Sequence, residues 1–236
     1  MRRAVVIGSG GGIGAGLVRG LAARGWEEVH ALSRHPPAEE APGPVRPGII
    51  DIADAASIEA AATAIGGPLD LVVVATGLLS EGDRRPERSL RELDAEWLAR
   101  LFQVNATGPA LALRHFTPWL ARDRRSVFAA LSARVGSISD NRLGGWYGYR
   151  ASKAALNMIV RTAAIELART RPQAICVGLH PGTVDTALSK PFQRAVPAER
   201  LFTPDSAAAQ LLDVLDGLGV QDTGQCFAWD SSRVEP

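Results

Sequence analysis

A short apolar run, Arg3-Ala4-Val5-Val6-Ile7, passes directly into Gly8-Ser9-Gly10-Gly11-Gly12-Ile13-Gly14, and a helical pattern then runs from Ile13 to Arg24. The run lacks the polar alternation of a half-exposed strand, so it reads as a strand buried on both faces. Leu17, Leu21 and Ala22 fall on one side of the following helix. Strand, glycine turn and helix together are the context a phosphate-binding turn needs: without Cβ atoms the backbone can approach a pyrophosphate, and the helix N-terminus offers free N–H groups. The spacing Gly8-x3-Gly12-x-Gly14 departs from G-x-G-x-x-G, and a purely structural turn is the competing reading.

The rest of the chain repeats the alternation. Strands are expected at Glu28–Ser33, Ile49–Ile52, Leu69–Ala75, Ser126–Leu131, Gln173–Leu179 and Cys226–Trp229. Helices are expected at 53–65, 94–120 with a break near Gly108-Pro109, around Tyr149, and at Pro204–Leu215, while His35–Gly48 reads as a proline-rich surface loop. The expectation is a single α/β domain over residues 1–236, a Rossmann fold with a doubly wound, mostly parallel seven-stranded sheet and helices on both faces. A cofactor would cross the carboxyl ends of the strands.

The second strand ends in Ser33-Arg34 rather than in a carboxylate. An acidic side chain there would bind a ribose 2′-hydroxyl, whereas a guanidinium would hold a 2′-phosphate. NADP(H) is therefore favoured, with NAD(H) still open. Asp51 caps a turn or contacts an adenine amino group. Gly77, after the fourth strand, again permits close approach to a ligand.

Tyr149 and Lys153 stand at i and i+4, on one face of a helix. The chain has two tyrosines, and its two lysines, Lys153 and Lys190, stand among 26 basic residues, which sets this pair apart from a chance surface pair. An ammonium near a phenol is expected to lower its pKa, so that it exchanges a proton with a carbonyl or alcohol near neutral pH. Asn105 is a polar residue on an otherwise apolar helical face.

Net charge is +1, which suggests neither a nucleic-acid nor a membrane partner. Cys176 and Cys226 read as buried thiols, and no metal-ligand spacing is present, so no metal is expected. No signal peptide and no apolar run of about 18 residues stands out, making the cytoplasm the expected location.

In chain order, Gly8-x3-Gly12-Ile13-Gly14, Asn105, Tyr149-x3-Lys153 and Pro181-Gly182 resemble the short-chain dehydrogenase/reductase superfamily over essentially the whole chain. Ser132–Ile138 and Tyr149–Asn157 resemble its C-factor-like and sniffer-type carbonyl reductases. The resemblance implies Tyr149 as general acid/base, Lys153 on the nicotinamide ribose, and Asn105 holding a water that links Lys153 to solvent. It implies cofactor contacts from Gly8, Ser9, Gly10, Gly12, Ile13 and Gly14, from Ser33, Arg34, Asp51 and Ile52, and from Ala75, Thr76 and Gly77. Pro181, Gly182, Val184 and Thr186 would hold the nicotinamide end. Homodimers or homotetramers are expected from the same resemblance.

Three departures stand out. Ile7 replaces a usual Thr, Val74-Ala75-Thr76-Gly77 replaces Asn-Asn-Ala-Gly, and Ala133 falls where the family has its catalytic serine. Ser132 is the expected substitute, one residue out of register and so on the opposite face of a regular strand, with Ser137 and Ser139 behind it. The implied activity is NADP(H)-dependent interconversion of a small-molecule carbonyl and alcohol. The alternative is a cofactor-binding sensor or signalling protein with little turnover. Leu143, Trp146, Leu188, Pro191 and Phe192 are expected to line an apolar substrate pocket, or else to pack a lid or subunit contact.

Overall fold

The computed structural model describes residues 2–36 and 43–235. The first strand, β1 (Arg3–Ile7), is buried from Ala4 onward and leads into helix α1 (Gly12–Ala23). Strands β2 (Glu28–Ser33) and β3 (Val45–Ile49) follow, then α2 (Ala55–Ile65) and β4 (Leu71–Val74). Helices α3 (Ala95–Phe102) and α4 (Gly108–Phe116) precede β5 (Ser126–Leu131). The long helix α5 (Tyr147–Thr170) leads to β6 (Ala174–His180) and a short pair, β7 (Thr183–Val184) and β8 (Leu201–Phe202). Helix α6 (Pro204–Gly217) and strand β9 (Cys226–Ala228) complete the order.

Among the described residues, seven strands form one sheet in the order β3-β2-β1-β4-β5-β6-β9, and every pairing in it is parallel. This is the expected doubly wound Rossmann sheet. The chain leaves β1 toward β2 on one side and later returns to β4 on the other, so a crevice opens above the carboxyl ends of β1 and β4.

Side-chain alternation divides the core into two layers. Val5, Ile7, Val72 and Val74 face α2, α4 and α5, packing with Ile58, Phe116, Leu156 and Val160. Ala4, Val6, Leu71 and Val73 face α1 and α6, packing with Leu17, Leu21, Leu211 and Leu215. Both faces of the sheet are buried, which is why its strands read as unbroken apolar runs. Side-chain caps fix several helix starts: Asp54 accepts from Ala56 N, Asp94 from Trp97 N, and Thr203 from Ser206 N with Pro204 at the first helical position.

Two expectations are corrected. The third strand is Val45–Ile49, inside what reads as loop, with Pro47 opposite Ala31 of β2. It is an edge strand paired only with β2, where a proline is tolerated because no second neighbour requires its missing N–H. Residues 37–42 of that expected loop lie outside the described residues. The long helix at 94–120 breaks earlier than expected, in a π-helical turn at Gln103–Thr107 that carries Asn105. Gly108 and Pro109 instead open α4, where proline is compatible with a first turn.

Candidate active site

The glycine turn is held to β2 by its backbone: Gly8 N and Ser9 N both donate to Leu32 O, at 2.8 and 3.0 Å. Gly8 has φ +95°, a conformation that L side chains rarely adopt. A Cβ on Gly14 would lie 2.1 Å from Gly8 O, so Gly14 permits α1 to close against the turn.

Above the turn lies a cavity of about 640 Å³. Gly8, Gly10, Gly12 and Ile13 line one wall, with Ser33, Arg34, Asp51 and Ile52 at one end. Ala75, Thr76 and Gly77 continue it, and Ser132, Tyr149, Lys153, Pro181 and Thr186 line the other end. The fold thus brings most of the expected site residues to one space from widely separated parts of the chain.

Five expected residues do not line it. Ser9 and Gly14 lie within the turn and helix start, and Asn105 lies behind the wall. Gly182 packs against Phe202 and Trp229, and Val184 is buried in β7. Conversely, Leu78, Leu79, Ser80, Glu81 and Arg100 line the cavity without having been anticipated. Arg100 on α3 pairs with Glu81 at 3.2 Å across the cavity's edge. No local pattern marks either residue, because only the tertiary fold joins them.

Several features fit an extended, phosphorylated ligand. The turn offers backbone without Cβ atoms, and Thr76 Oγ1 is buried without a hydrogen-bond partner among the described residues. Arg34 is exposed at the cavity and likewise has no hydrogen-bond or ion-pair partner among them. Asp51 is turned to its own loop, its Oδ1 accepting from Ala53 N at 2.9 Å, which supports the turn-capping reading.

At the other end, Tyr149 and Lys153 occupy one face of α5, both buried. The Lys153 ammonium lies 5.8 Å from the Tyr149 ring centroid and donates to Leu131 O at 2.7 Å. Burial pushes the Tyr149 phenol up to about 12 and the Lys153 ammonium down to about 8. The expected lowering of Tyr149 by Lys153 is therefore corrected: burial is what acts on the phenol in this structure, and it raises the pKa.

Asn105 is fully buried and committed to protein partners. Its Oδ1 accepts from Leu78 N and its Nδ2 donates to Leu78 O, both at 2.8 Å; Nδ2 also donates to Ser152 Oγ at 3.1 Å. Ser152 Oγ in turn donates to Tyr149 O at 2.9 Å. The side-chain amide thus ties the loop after β4 to α5.

Ser132 lines the cavity, but its hydroxyl donates to Asn157 Oδ1 at 2.6 Å and lies beside the buried Cys226 thiol. Its proton is engaged with α5 in this arrangement. Ser137 and Ser139 do not line the cavity; Ser137 Oγ accepts from Asp140 N within the loop. Ala133 stands beyond the strand end with no hydroxyl to offer.

Of the expected apolar wall, Leu188 lines the cavity. Trp146 meets Tyr149 and Phe192 edge-on, with ring centroids 6.3 and 5.1 Å apart. Leu143 is 92% exposed and stands away from it. Cys176 and Cys226 are buried free thiols, and burial pushes both up to about 12. No cluster able to hold a metal ion is found among the described residues. No helix among them is long and apolar enough to cross a membrane.

A parallel sheet wound about a glycine turn, with a buried tyrosine–lysine pair facing that turn across one cavity, is the architecture of a dinucleotide-dependent oxidoreductase. A model of the short chain dehydrogenase family matches residues 2–196, and the chain belongs to that family. It is similar to the 1-hydroxy-2-glutathionyl-2-methyl-3-butene dehydrogenase of Rhodococcus sp. (strain AD45), 32% identical and covering 95% of both chains. It is also similar to the C-signal protein of Myxococcus xanthus, 37% identical over 62% of this chain and 82% of that one. The crystal structure of NADPH-bound carbonyl reductase from chicken fatty liver superposes with a TM-score of 0.87 at 25% identity, covering 100% of this chain and 94% of that one.

Proposed function

We propose that this chain reduces a small-molecule carbonyl to an alcohol with NADP(H), with Tyr149 as the proton donor. The observation that carries the reading is the shared cavity: Tyr149 and Lys153 face the same space as the glycine turn and Arg34. The NADPH named for the chicken carbonyl reductase structure supports this cofactor. The reading takes residues 1–236 as one cofactor-binding domain acting in the cytoplasm.

The backbone at Gly8, Gly10 and Gly12 would cradle the pyrophosphate, with the N-terminus of α1 behind it. Arg34, with Ser33 beside it, would hold the 2′-phosphate as a charge-assisted fork. Thr76 Oγ1, Gly77 and Thr186 would meet the nicotinamide half. When bound, the nicotinamide supplies the hydride that adds to the carbonyl carbon.

The protein's own chemistry is the proton. Tyr149 is held as a neutral phenol by burial, and its hydroxyl has no protein partner among the described residues. It can donate to the carbonyl oxygen as that oxygen becomes an alkoxide, a far stronger base than a phenolate. Lys153 then stabilises the phenolate left behind, and its lowered pKa lets it give up a proton toward neutral pH.

A panel of ketones, aldehydes and quinones, followed by loss of NADPH absorbance, tests this reading. Turnover on at least one compound is expected. NADPH binding without turnover on any of them would favour the second reading, a cofactor-binding sensor. Two observations motivate that alternative: Ala133 has no hydroxyl, and the Ser132 hydroxyl is tied to Asn157. Homodimer or homotetramer formation is part of the proposal, supported by Met158 and Ile165, 66% and 46% exposed on the outer face of α5.

A further inference from the structure

Glu87 is a carboxylate in a loop, 1% exposed, in a chain whose other carboxylates lie mostly at the surface. Burying an ionisable group without an ion-pair partner is costly, and such a group requires a reason. Its surroundings supply one. Helix α5 begins without a side-chain cap of its own, because its N-cap position is Trp146, in a left-handed conformation with φ 53°. The first N–H groups of the helix that carries Tyr149 and Lys153 therefore need acceptors from elsewhere.

Glu87 provides two. Its Oε2 accepts from Gly148 N at 3.1 Å, and its main-chain oxygen accepts from Trp146 N. Gly148 makes the approach possible: a Cβ there would fall 2.9 Å from Glu87 Oε1 and 2.6 Å from Leu101 Cδ1. Oε1 itself is buried without a partner among the described residues. The residue after Gly148 is Tyr149. The same loop begins at Leu78, which Asn105 clamps to α5 through Ser152.

We propose that Glu87 is a positioning residue for Tyr149, fixing the first turn of α5 from outside the helix and so setting where the phenol stands in the cavity. This rests on the proposed reduction chemistry for its kinetic consequence, though not for its structural one. A displacement of about 1 Å at a catalytic group costs on the order of a hundredfold in rate.

Glu87→Ala and Glu87→Gln in the full-length chain separate the two levels. Backbone hydrogen exchange is expected to speed up about tenfold or more at 146–149 in Glu87→Ala, with 156–167 unchanged, because the terminal turn loses the Oε2 acceptor of Gly148 N and keeps only the main-chain oxygen that holds Trp146 N. In NADPH-dependent reduction, kcat is expected to fall about tenfold or more while the KM for NADPH stays within about twofold. Glu87→Gln keeps an amide oxygen for Gly148 N and is expected to restore both readouts. Unchanged exchange at 146–149, an NADPH KM rising in step with the loss of kcat, or no recovery with Gln would each overturn the proposal. If the wild-type chain reduces no carbonyl, the functional reading fails by itself, and the exchange measurement still decides whether Glu87 holds the turn.

Discussion

The Ser132 hydroxyl donates to Asn157 Oδ1 at 2.6 Å, which binds the end of β5 to α5 one turn beyond Lys153. The hydrogen bond engages the hydroxyl of a serine that lines the same cavity as Tyr149 and Lys153. It also makes the missing hydroxyl at position 133 a question of register rather than of composition.

Replacing Ala133 by Ser restores a hydroxyl beyond the strand end, outside the Ser132–Asn157 bond. A preorganised donor at a developing oxyanion changes kcat by about a hundredfold where it is native, and the added group is expected to raise kcat by about tenfold. Ser132→Ala is expected to cost about 1–2 kcal/mol of stability, because it leaves Asn157 Oδ1 unpaired. Steady-state kinetics and urea unfolding read the two effects. An unchanged kcat in Ala133→Ser would show that the carbonyl lies elsewhere.

Arg34→Ala is expected to weaken NADPH binding about tenfold to a hundredfold, the loss of one charge-assisted contact, and to leave NADH within about twofold. Equilibrium titration by cofactor fluorescence measures both. Equal losses would remove Arg34 as the selector.

The buried pair predicts a pH profile of stability for the cofactor-free chain. Lys153 is lowered to about 8 in the folded state from an ordinary 10.5, so between these values the unfolded chain binds more protons and stability rises with pH. Tyr149 is raised to about 12 from 10.0, so between those values the folded chain binds more protons and stability falls. Cys176 and Cys226, pushed up to about 12 from 9.0, act in the same sense as Tyr149, so stability is expected to climb from about pH 8 to pH 9 and to decline above that. In Lys153→Met the climb should vanish while the decline remains. Urea midpoints across this range test it, and an unchanged climb in Lys153→Met would contradict the assignment.

Gly14→Ala is expected to destabilise the chain by at least about 2 kcal/mol and to abolish cofactor binding, since its Cβ would lie 2.1 Å from Gly8 O. Thermal unfolding and cofactor titration check both parts. A well-folded variant with wild-type affinity would contradict the close-packed turn.

The central strands were legible in the sequence because burial on both faces leaves an unbroken apolar run, as at Ala4–Ile7 and Leu71–Val74. The edge strand Val45–Ile49 was not, because an edge tolerates Pro47 and thereby loses the composition of a strand. The π-turn at Gln103–Thr107 has no residue signature that precedes its geometry. At the site, the i,i+4 relation of Tyr149 and Lys153 is local and was readable, whereas their proton affinities depend on desolvation by the whole fold. Asn105 was visible as a polar residue on an apolar face, but its partner Leu78 lies 27 residues away. Glu87 resembles any charged loop residue until the loop is seen folded onto α5.

The central claim is that Tyr149 delivers the proton. NADPH oxidation by Tyr149→Phe, with any carbonyl that the wild-type chain reduces, tests it most directly. The variant is expected to bind NADPH within about twofold of wild type and to lose about a hundredfold or more in kcat, the scale of general-acid catalysis. A Tyr149→Phe variant turning over at the wild-type rate would contradict the account.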